Sequence, residues 1–520
     1  MQDSLLRQSL GPSLWLALIT AASSAGCSSS HYLGDLAPPD VVGDPGEGAV
    51  GAGDRRVAPL LGPPDLTMDG ESPPDNPLLA RIGDVDGDGY ADIASLGDAG
   101  HEAHIHIRYG GPRPVDRVEA YLFDIAGPRL LLDDGAWMIE SIEPAGDLDG
   151  DGYADFLIRS VGCDREGALD GVFLIYGGSD RIESGWLAEH SVYLPRPHLG
   201  YQRSGCWALE VDVPSVEVGD MDGDGFDDLI LIDTEIPWIT YPGEATAYVI
   251  YGRRERFEEG TSWSSADARL TMDTYGMLVS LGDVNGDGLA DVAIGNRDTT
   301  EFATSPEYGR SYWWLPGRKE RLRGDMRIDA VAAPFAVPVP AGDLDADGLS
   351  DVILYDESAT PYLFYGEPGL FRDGVNLDQA AAVIETYATP SGTVLAAGGD
   401  LDGDGDDELV SAAVLSKNMP LFPRSVALTS GTSERASGTL SLPEPNNPSW
   451  DGWQLVERIV PVGDLDGDGV QDLMTQSSFY VAGDSPDAFD VDGLERYERA
   501  FGASPRLNVH FGGGEIERPR

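Results

Sequence analysis

Gly83-Asp84-Val85-Asp86-Gly87-Asp88-Gly89-Tyr90-Ala91-Asp92 is the stretch whose reading decides the fold. Its acidic phrase recurs six more times, starting at Asp147, Asp220, Asp283, Asp343, Asp400 and Asp464. The intervals are 63, 73, 63, 60, 57 and 64 residues. A period this long and steady marks one structural unit repeated seven times. Around each phrase the pattern is constant. One apolar run enters it and another leaves it, as in Met277-Leu278-Val279-Ser280-Leu281 and Asp291-Val292-Ala293-Ile294-Gly295. A third run ends in Tyr-Gly, at Tyr109-Gly110, Tyr176-Gly177, Tyr251-Gly252 and, more loosely, Tyr365-Gly366 and Phe511-Gly512. A fourth follows, such as Arg269-Leu270-Thr271-Met272-Asp273. These runs are short, rich in β-branched and aromatic residues, and bounded by Gly, Pro and Asp, the signature of strands. The expected fold is all-β, a seven-bladed β-propeller of four-stranded blades.

The seventh unit has a third strand near Asn508–Phe511 and then a short polar tail, with no fourth strand. Leu66-Thr67-Met68-Asp69 repeats the residues of Leu270-Thr271-Met272-Asp273. The N-terminal strand is therefore expected to complete the last blade and remove the ring's open edge. A linear solenoid would need polar capping units, and none is evident.

The phrase reads as a metal-binding loop. Numbering from its first Asp, positions one, three, five and nine carry carboxylates, and position seven offers a carbonyl. The candidate ligands are Asp84, Asp86, Asp88, Tyr90 and Asp92; Asp147, Asp149, Asp151, Tyr153 and Asp155; Asp220, Asp222, Asp224, Phe226 and Asp228; Asp283, Asn285, Asp287, Leu289 and Asp291. The last three loops offer Asp343, Asp345, Asp347, Leu349 and Asp351; Asp400, Asp402, Asp404, Asp406 and Glu408; Asp464, Asp466, Asp468, Val470 and Asp472. Six to eight hard oxygens suit Ca²⁺, whereas soft metals would require Cys or His. Up to seven structural calcium ions are expected. Position six is Gly in every loop, where a sharp turn at positive φ is expected. An EF-hand would need Glu at position twelve and flanking helices. Position twelve is Ser95, Ile158, Leu231, Ile294, Leu354, Ser411 or Thr475, so the loop closes at position nine inside a β-hairpin.

The alternative, acidic turns without metal, would leave four carboxylates in mutual repulsion seven times over. Sites binding at about 0.1–1 mM would each gain about 0.4–1.4 kcal/mol from roughly 1 mM calcium. Over seven sites that rivals a typical net folding stability, which marks the ions as structural.

The net charge is −56, from 34 basic and 90 acidic residues. This excludes nucleic acid and anionic membrane surface as partners. The ligand positions supply 27 of the carboxylates, four in each loop but three in the fourth. Disorder is disfavoured because 41% of residues are hydrophobic and fall in clear runs.

Residues 1–26 have the plan of an export signal, with the apolar core Leu14-Trp15-Leu16-Ala17-Leu18-Ile19 too short to span a bilayer. Ser24-Ala25-Gly26-Cys27 resembles a bacterial lipobox, which implies lipidation at Cys27. Ser24 where leucine is usual, and a single Arg7, also fit an ordinary cleaved signal. Residues 27–64 read as anchor and flexible tether, 65–513 as the propeller, and 514–520 as a tail. Two further cysteines, Cys163 and Cys206, are a disulfide or two separate thiols.

The fourth unit, Tyr275-Gly276 through Gly282-Asp283-Val284-Asn285-Gly286-Asp287-Gly288-Leu289-Ala290-Asp291-Val292-Ala293-Ile294-Gly295, resembles the FG-GAP repeat. That family builds the propeller of integrin α subunits and of many bacterial surface proteins. The resemblance covers residues 65–513 and implies calcium loops between the first and second strands of each blade, on one face. On that layout Cys163 and Cys206 lie on the opposite face, where a disulfide would join blades two and three.

Other motifs carry less. Arg323-Gly324-Asp325 is an integrin-recognition tripeptide, but a turn before a strand would contain glycine anyway. His101, His104 and His106 cluster in the first unit. His104 and His106 would share one strand face as a transition-metal pair, but His101-Glu102-Ala103-His104 lacks zinc-protease spacing and the cluster reads as part of a solvated strand. Trp137, Trp207, Tyr275, Phe335 and Trp453 precede first strands as inter-blade packing or a ligand platform. An insertion lengthens the last unit around Phe479–Phe501.

No catalytic motif is evident. The expected protein is a monomeric, non-enzymatic calcium-binding propeller, exported to the outer membrane or cell surface as a lipoprotein, or secreted. Its expected role is adhesion to, or recognition of, an extracellular protein or glycan. It would touch membrane only through the N-terminal lipid. The alternatives are an enzyme acting on polysaccharide or lipid, and a structural envelope lipoprotein.

Overall fold

Each acidic phrase joins two antiparallel strands. The first strand ends at the glycine before position one, and the second starts at position nine, as in Leu79–Gly83 and Asp92–Asp98. The computed structural model describes residues 66–69, 79–98, 103–112, 129–131, 137–162, 171–197, 216–235, 244–272, 276–296, 312–327, 338–356, 360–372, 375–385, 393–413, 426–429, 431–442, 453–480 and 506–510. The signal segment, the tether, Cys27, Cys163 and Cys206 lie outside the described residues.

The described strands form seven sheets, each led by one of the seven hairpins. In all seven the register slips between the third and first residues before position one, as between Arg81 and Gly83 or Pro461 and Gly463. Such a bulge, with glycine at positive φ (82° at Gly83), swings the chain out of the sheet and into the loop.

The second strands are buried on both faces, so they read as unbroken apolar runs rather than alternations. Leu229, Ile230, Leu231 and Ile232 are all inaccessible. Ile230 and Ile232 pack with Leu278, Val292 and Ile294 of the fourth sheet. Leu229 and Leu231 pack with Leu157, Val172 and Leu174 of the second. The sheets are thus stacked face to face. The first strands touch in succession, Leu79–Gly83 against Trp137–Gly146 and so on to Trp453–Gly463, which returns to Leu79–Gly83. Leu66–Asp69 pairs antiparallel with Arg506–His510, placing the N-terminal strand in the last sheet. This all-β arrangement is consistent with a propeller.

The uniform four-stranded plan is corrected. Among the described residues the sheets hold five, four, five, three, five, three and four strands. Gly185–Trp186, Gly324–Arg327 and Gly438–Ser441 each join the preceding sheet as a fifth, parallel strand. After the third strand the first six repeats take one path. There the chain crosses the neighbouring loop, where Gly178, Arg318 and Thr432 donate backbone N–H groups to the carbonyls of Val85, Met221 and Leu344. Arg253 and Glu367 make the same crossing to Leu148 and Val284, yet the strands that follow stay in their own sheets, so the crossing brings the chain beside its neighbour without fixing which edge it joins.

Leu187–His190 is the one α-helical turn among the described residues. No described helix is long and apolar enough to cross a membrane.

Candidate metal centre

Position nine anchors each loop. Asp92, Asp155, Asp228, Asp291, Asp351 and Asp472 are fully buried, and Glu408 is nearly so. One carboxylate oxygen accepts the N–H of position two: Val85 to Asp92 at 2.9 Å, Met221 to Asp228 at 2.8 Å, Leu401 to Glu408 at 2.6 Å. In the first five loops the other accepts from the glycine that closes the third strand. Gly110, Gly252 and Gly366 donate to Asp92, Asp228 and Asp351 at 2.8, 2.9 and 2.8 Å. This explains the glycine of the Tyr-Gly signature, since a Cβ on Gly110 would lie 2.5 Å from the carbonyl oxygen of Ala91.

Burial pushes Asp92, Asp155, Asp228 and Asp351 up to about 8, and Asp291 to about 7, from the usual 3.8. Glu408 rises to about 8. The backbone N–H groups pull the other way, and the neighbouring carboxylates add to the rise.

Position one organises the turn. Asp84 accepts from Gly87 at 2.7 Å and Asp88 at 3.1 Å on one oxygen, and from Gly89 at 2.9 Å on the other. The pattern recurs at Asp220, Asp400 and Asp464. Position five accepts from position seven, as Asp88 does from Tyr90 at 3.1 Å. Position six has the expected positive φ, 92° at Gly89. Position four shares it, and in the fifth loop that position is Ala346, at 52°.

The carboxylates converge. Oxygens of Asp84, Asp86 and Asp92 lie within 4.8 Å of one another, as do those of Asp147, Asp149 and Asp155, and of Asp220, Asp222 and Asp228. Asp343, Asp345 and Asp347 form a similar group, and so do Asp400, Asp402 and Asp404. In the fourth loop the Asn285 amide instead donates to both oxygens of Asp291, at 2.9 and 2.7 Å. Oδ1 of Asp345 and Oε1 of Glu408 are buried without a hydrogen-bond partner. Such an oxygen, desolvated among other carboxylates, is what a cation would satisfy. These clusters could hold metal ions, and their all-oxygen donors suit a hard one.

The loops are also tied to each other. The position-eight N–H donates to the position-one carbonyl of the preceding loop in every case. Ala154 bonds Asp84, Asp227 bonds Asp147, Ala290 bonds Asp220, Ser350 bonds Asp283, Asp407 bonds Asp343 and Gln471 bonds Asp400; Ala91 bonds Asp464, returning from the first loop to the last.

The sequence reading missed a resident cation. Four residues beyond the glycine closing the third strand stand Arg181, Arg256, Arg321 and Arg435. Each reaches back to positions three and five of the preceding loop. Arg181 bonds Asp86 and Asp88 at 2.5 and 2.9 Å. Arg256 takes Asp149 and Asp151, Arg321 takes Asp222 and Asp224, and Arg435 takes Asp345 and Asp347. The repeated Gly-x-x-x-Arg spacing was the available signal.

Other expectations fall out variously. His106 is buried, not solvated, because its strand is covered on both faces. Gly324 and Asp325 lie in an exposed added strand, with Asp325 paired to Arg269 at 2.6 Å. Trp137 and Trp453 open first strands. His101, Trp207, Tyr275, Phe335 and residues 481–505 lie outside the described residues.

With the geometry in place, the family comparison is specific. Residues 275–309 match the FG-GAP repeat. The match covers the hairpin and acidic loop of the fourth unit, the unit with Asn285 at position three. The chain carries an FG-GAP repeat within an all-β array of similar hairpins.

Proposed function

We propose that the seven sheets close as a seven-bladed propeller, that its acidic loops bind calcium, and that the protein acts outside the cytoplasm as a non-catalytic binding module. One observation carries this reading: position eight of each loop bonds position one of the loop before it, in all seven loops. Ions held at positions one, three, five and nine, with the position-seven carbonyl, would sit beside the joints between sheets. The ion supplies charge compensation there, and the chain supplies the cage. The opposite face would remain for an extracellular protein or glycan. The N-terminal segment would export and tether the chain, through a lipid on Cys27 if the lipobox is used.

Metal analysis after equilibrium dialysis should find close to seven calcium ions per chain. Immobilised protein in calcium, exposed to envelope extract and surface polysaccharide, should release a specific ligand into EDTA. A folded protein that retains neither calcium nor ligand would overturn the proposal.

A further inference from the structure

The four arginines differ from ordinary surface ion pairs in what lies beneath them. The position-three side chains they cover are almost inaccessible: Asp86 4%, Asp149 5%, Asp222 2% and Asp345 3% exposed. Each guanidinium also rests on the ring of the tyrosine closing the third strand of the loop's own sheet. Arg181 lies 4.5 Å from the Tyr109 centroid, Arg256 4.5 Å from Tyr176, Arg321 4.8 Å from Tyr251 and Arg435 5.1 Å from Tyr365. The same tyrosine hydroxyls accept the N–H of the residue after the arginine, from Ile182, Phe257, Leu322 and Ala436. Tyrosine and loop come from one repeat and arginine from the next.

Three loops lack an arginine at this spacing: the sixth and seventh, where Ile516 and Pro114 stand in its place, and the fourth, which departs at every part of the device at once. Pro316 stands where the tyrosine would be, Leu370 where the arginine would be, and Asn285 replaces aspartate at position three. Leu370 is buried among Val284, Trp314 and Phe371, so an apolar contact fills the place of the ion pair. In the sixth loop, Asp402 is exposed and needs no cover. Counted over positions one, three, five and nine as ionised, four carboxylates and one guanidinium leave −3. Three carboxylates without a guanidinium also leave −3. One divalent ion brings either kind of loop to −1, and the sixth and seventh loops, with four carboxylates and no such arginine, to −2.

The geometry points to a charge-matching latch: Arg181, Arg256, Arg321 and Arg435 are tethered cations that each repeat lends to the preceding acidic loop, and Asn285 with Leu370 is the neutral version of the same joint. The arginine acts through the carboxylates and is a positioning residue. The part of this inference that concerns calcium rests on the function proposed above; the pairing of arginine with position three does not.

A double-mutant cycle on the full chain in EDTA tests it. Arg256→Leu leaves Asp149 covered but unpaired, and Asp149→Asn leaves the guanidinium without its inner partner. The carboxylate of this pair is desolvated although the arginine side chain is about half exposed; breaking one side of a pair with a buried charge is costly, whereas replacing both sides is often not. Each single variant should lower the unfolding midpoint by about 2 °C or more. Arg256→Leu with Asp149→Asn, which rebuilds the chemistry of the fourth loop, should lie closer to wild type than either single variant. Losses that simply add would overturn the latch, because an arginine held only by packing on Tyr176 would gain nothing from Asp149→Asn. Arg435→Leu and Asp345→Asn repeat the cycle in the fifth loop should a variant of the second loop fail to fold. Wild-type midpoints with and without calcium read the calcium proposal separately. Rescue in EDTA without any calcium response would uphold the latch and sink the calcium reading.

Discussion

Loading the loops with calcium should expel protons, and their number follows from position nine. Burial holds Asp92, Asp155, Asp228, Asp351 and Glu408 near 8, and Asp291 near 7. At pH 7 the first five are each about nine-tenths protonated and Asp291 about half, whereas a ligating carboxylate must be ionised. Calcium binding at pH 7 should therefore release about five protons per chain from these six loops, and about half a proton at pH 9. Calorimetry in buffers of different ionisation enthalpy counts them directly. Apparent affinity should rise with pH up to about 8 and then level off. Stability of the metal-free protein should run the opposite way. Its position-nine carboxyls keep protons that an unfolded chain releases above about pH 4, so the contribution of these groups to stability is fullest below that pH and is lost as pH rises through 8. Calcium binding without proton release, at an affinity unchanged from pH 6 to 9, would refute the claim that position nine is a desolvated ligand.

Three further outcomes follow from local geometry. Ala346→Gly should raise the melting temperature by a degree or two, because relief of roughly 1–2 kcal/mol at a positive φ of 52° outweighs the added chain entropy; a lower melting temperature refutes this. Gly87→Ala should destabilise more than Gly89→Ala in urea titrations. Both lie at positive φ, but a Cβ on Gly87 would run into the Tyr153 ring, whose Cδ1 lies 2.8 Å away, while Gly89 faces open space. Trp263→Phe should cost about 1–3 kcal/mol in the same assay, since it leaves the buried Leu194 carbonyl without the indole N–H that donates to it at 2.9 Å.

The loops were legible in the sequence because their chemistry is local. Carboxylates at alternate positions, glycine at the turn and apolar runs on each side all lie within about twenty residues. The pairing of Leu66–Asp69 with Arg506–His510 was legible for another reason: a repeat lacking its fourth strand leaves a gap that a matching tetrapeptide can fill. What the sequence hid was the partner of a strand. Gly324–Arg327 looks like any fourth strand, yet it pairs in parallel with Ala268–Met272 of the preceding sheet, whereas Ala268–Met272 itself pairs antiparallel within its own. His106 was misread because an alternation rule presumes one wet face, and this strand has none.

The acidic phrase is therefore more than a ligand set placed on a scaffold. Its position-one carbonyl and position-eight N–H join adjacent sheets. Its position-nine carboxylate binds the turn that ends the third strand. In four loops its position-three and position-five carboxylates hold an arginine from the next repeat. Remove the phrase from one repeat and that repeat loses its hairpin, its hold on the third strand and its link to both neighbours together. A repeat array needs such joints at every interface, because each unit buries its apolar faces only against its neighbours. That requirement accounts for an acidic loop in every unit, including the fourth. There Asn285, Pro316 and Leu370 have replaced the charged joint without abandoning the hairpin, the position-nine anchor or the bond from Ala290 to Asp220.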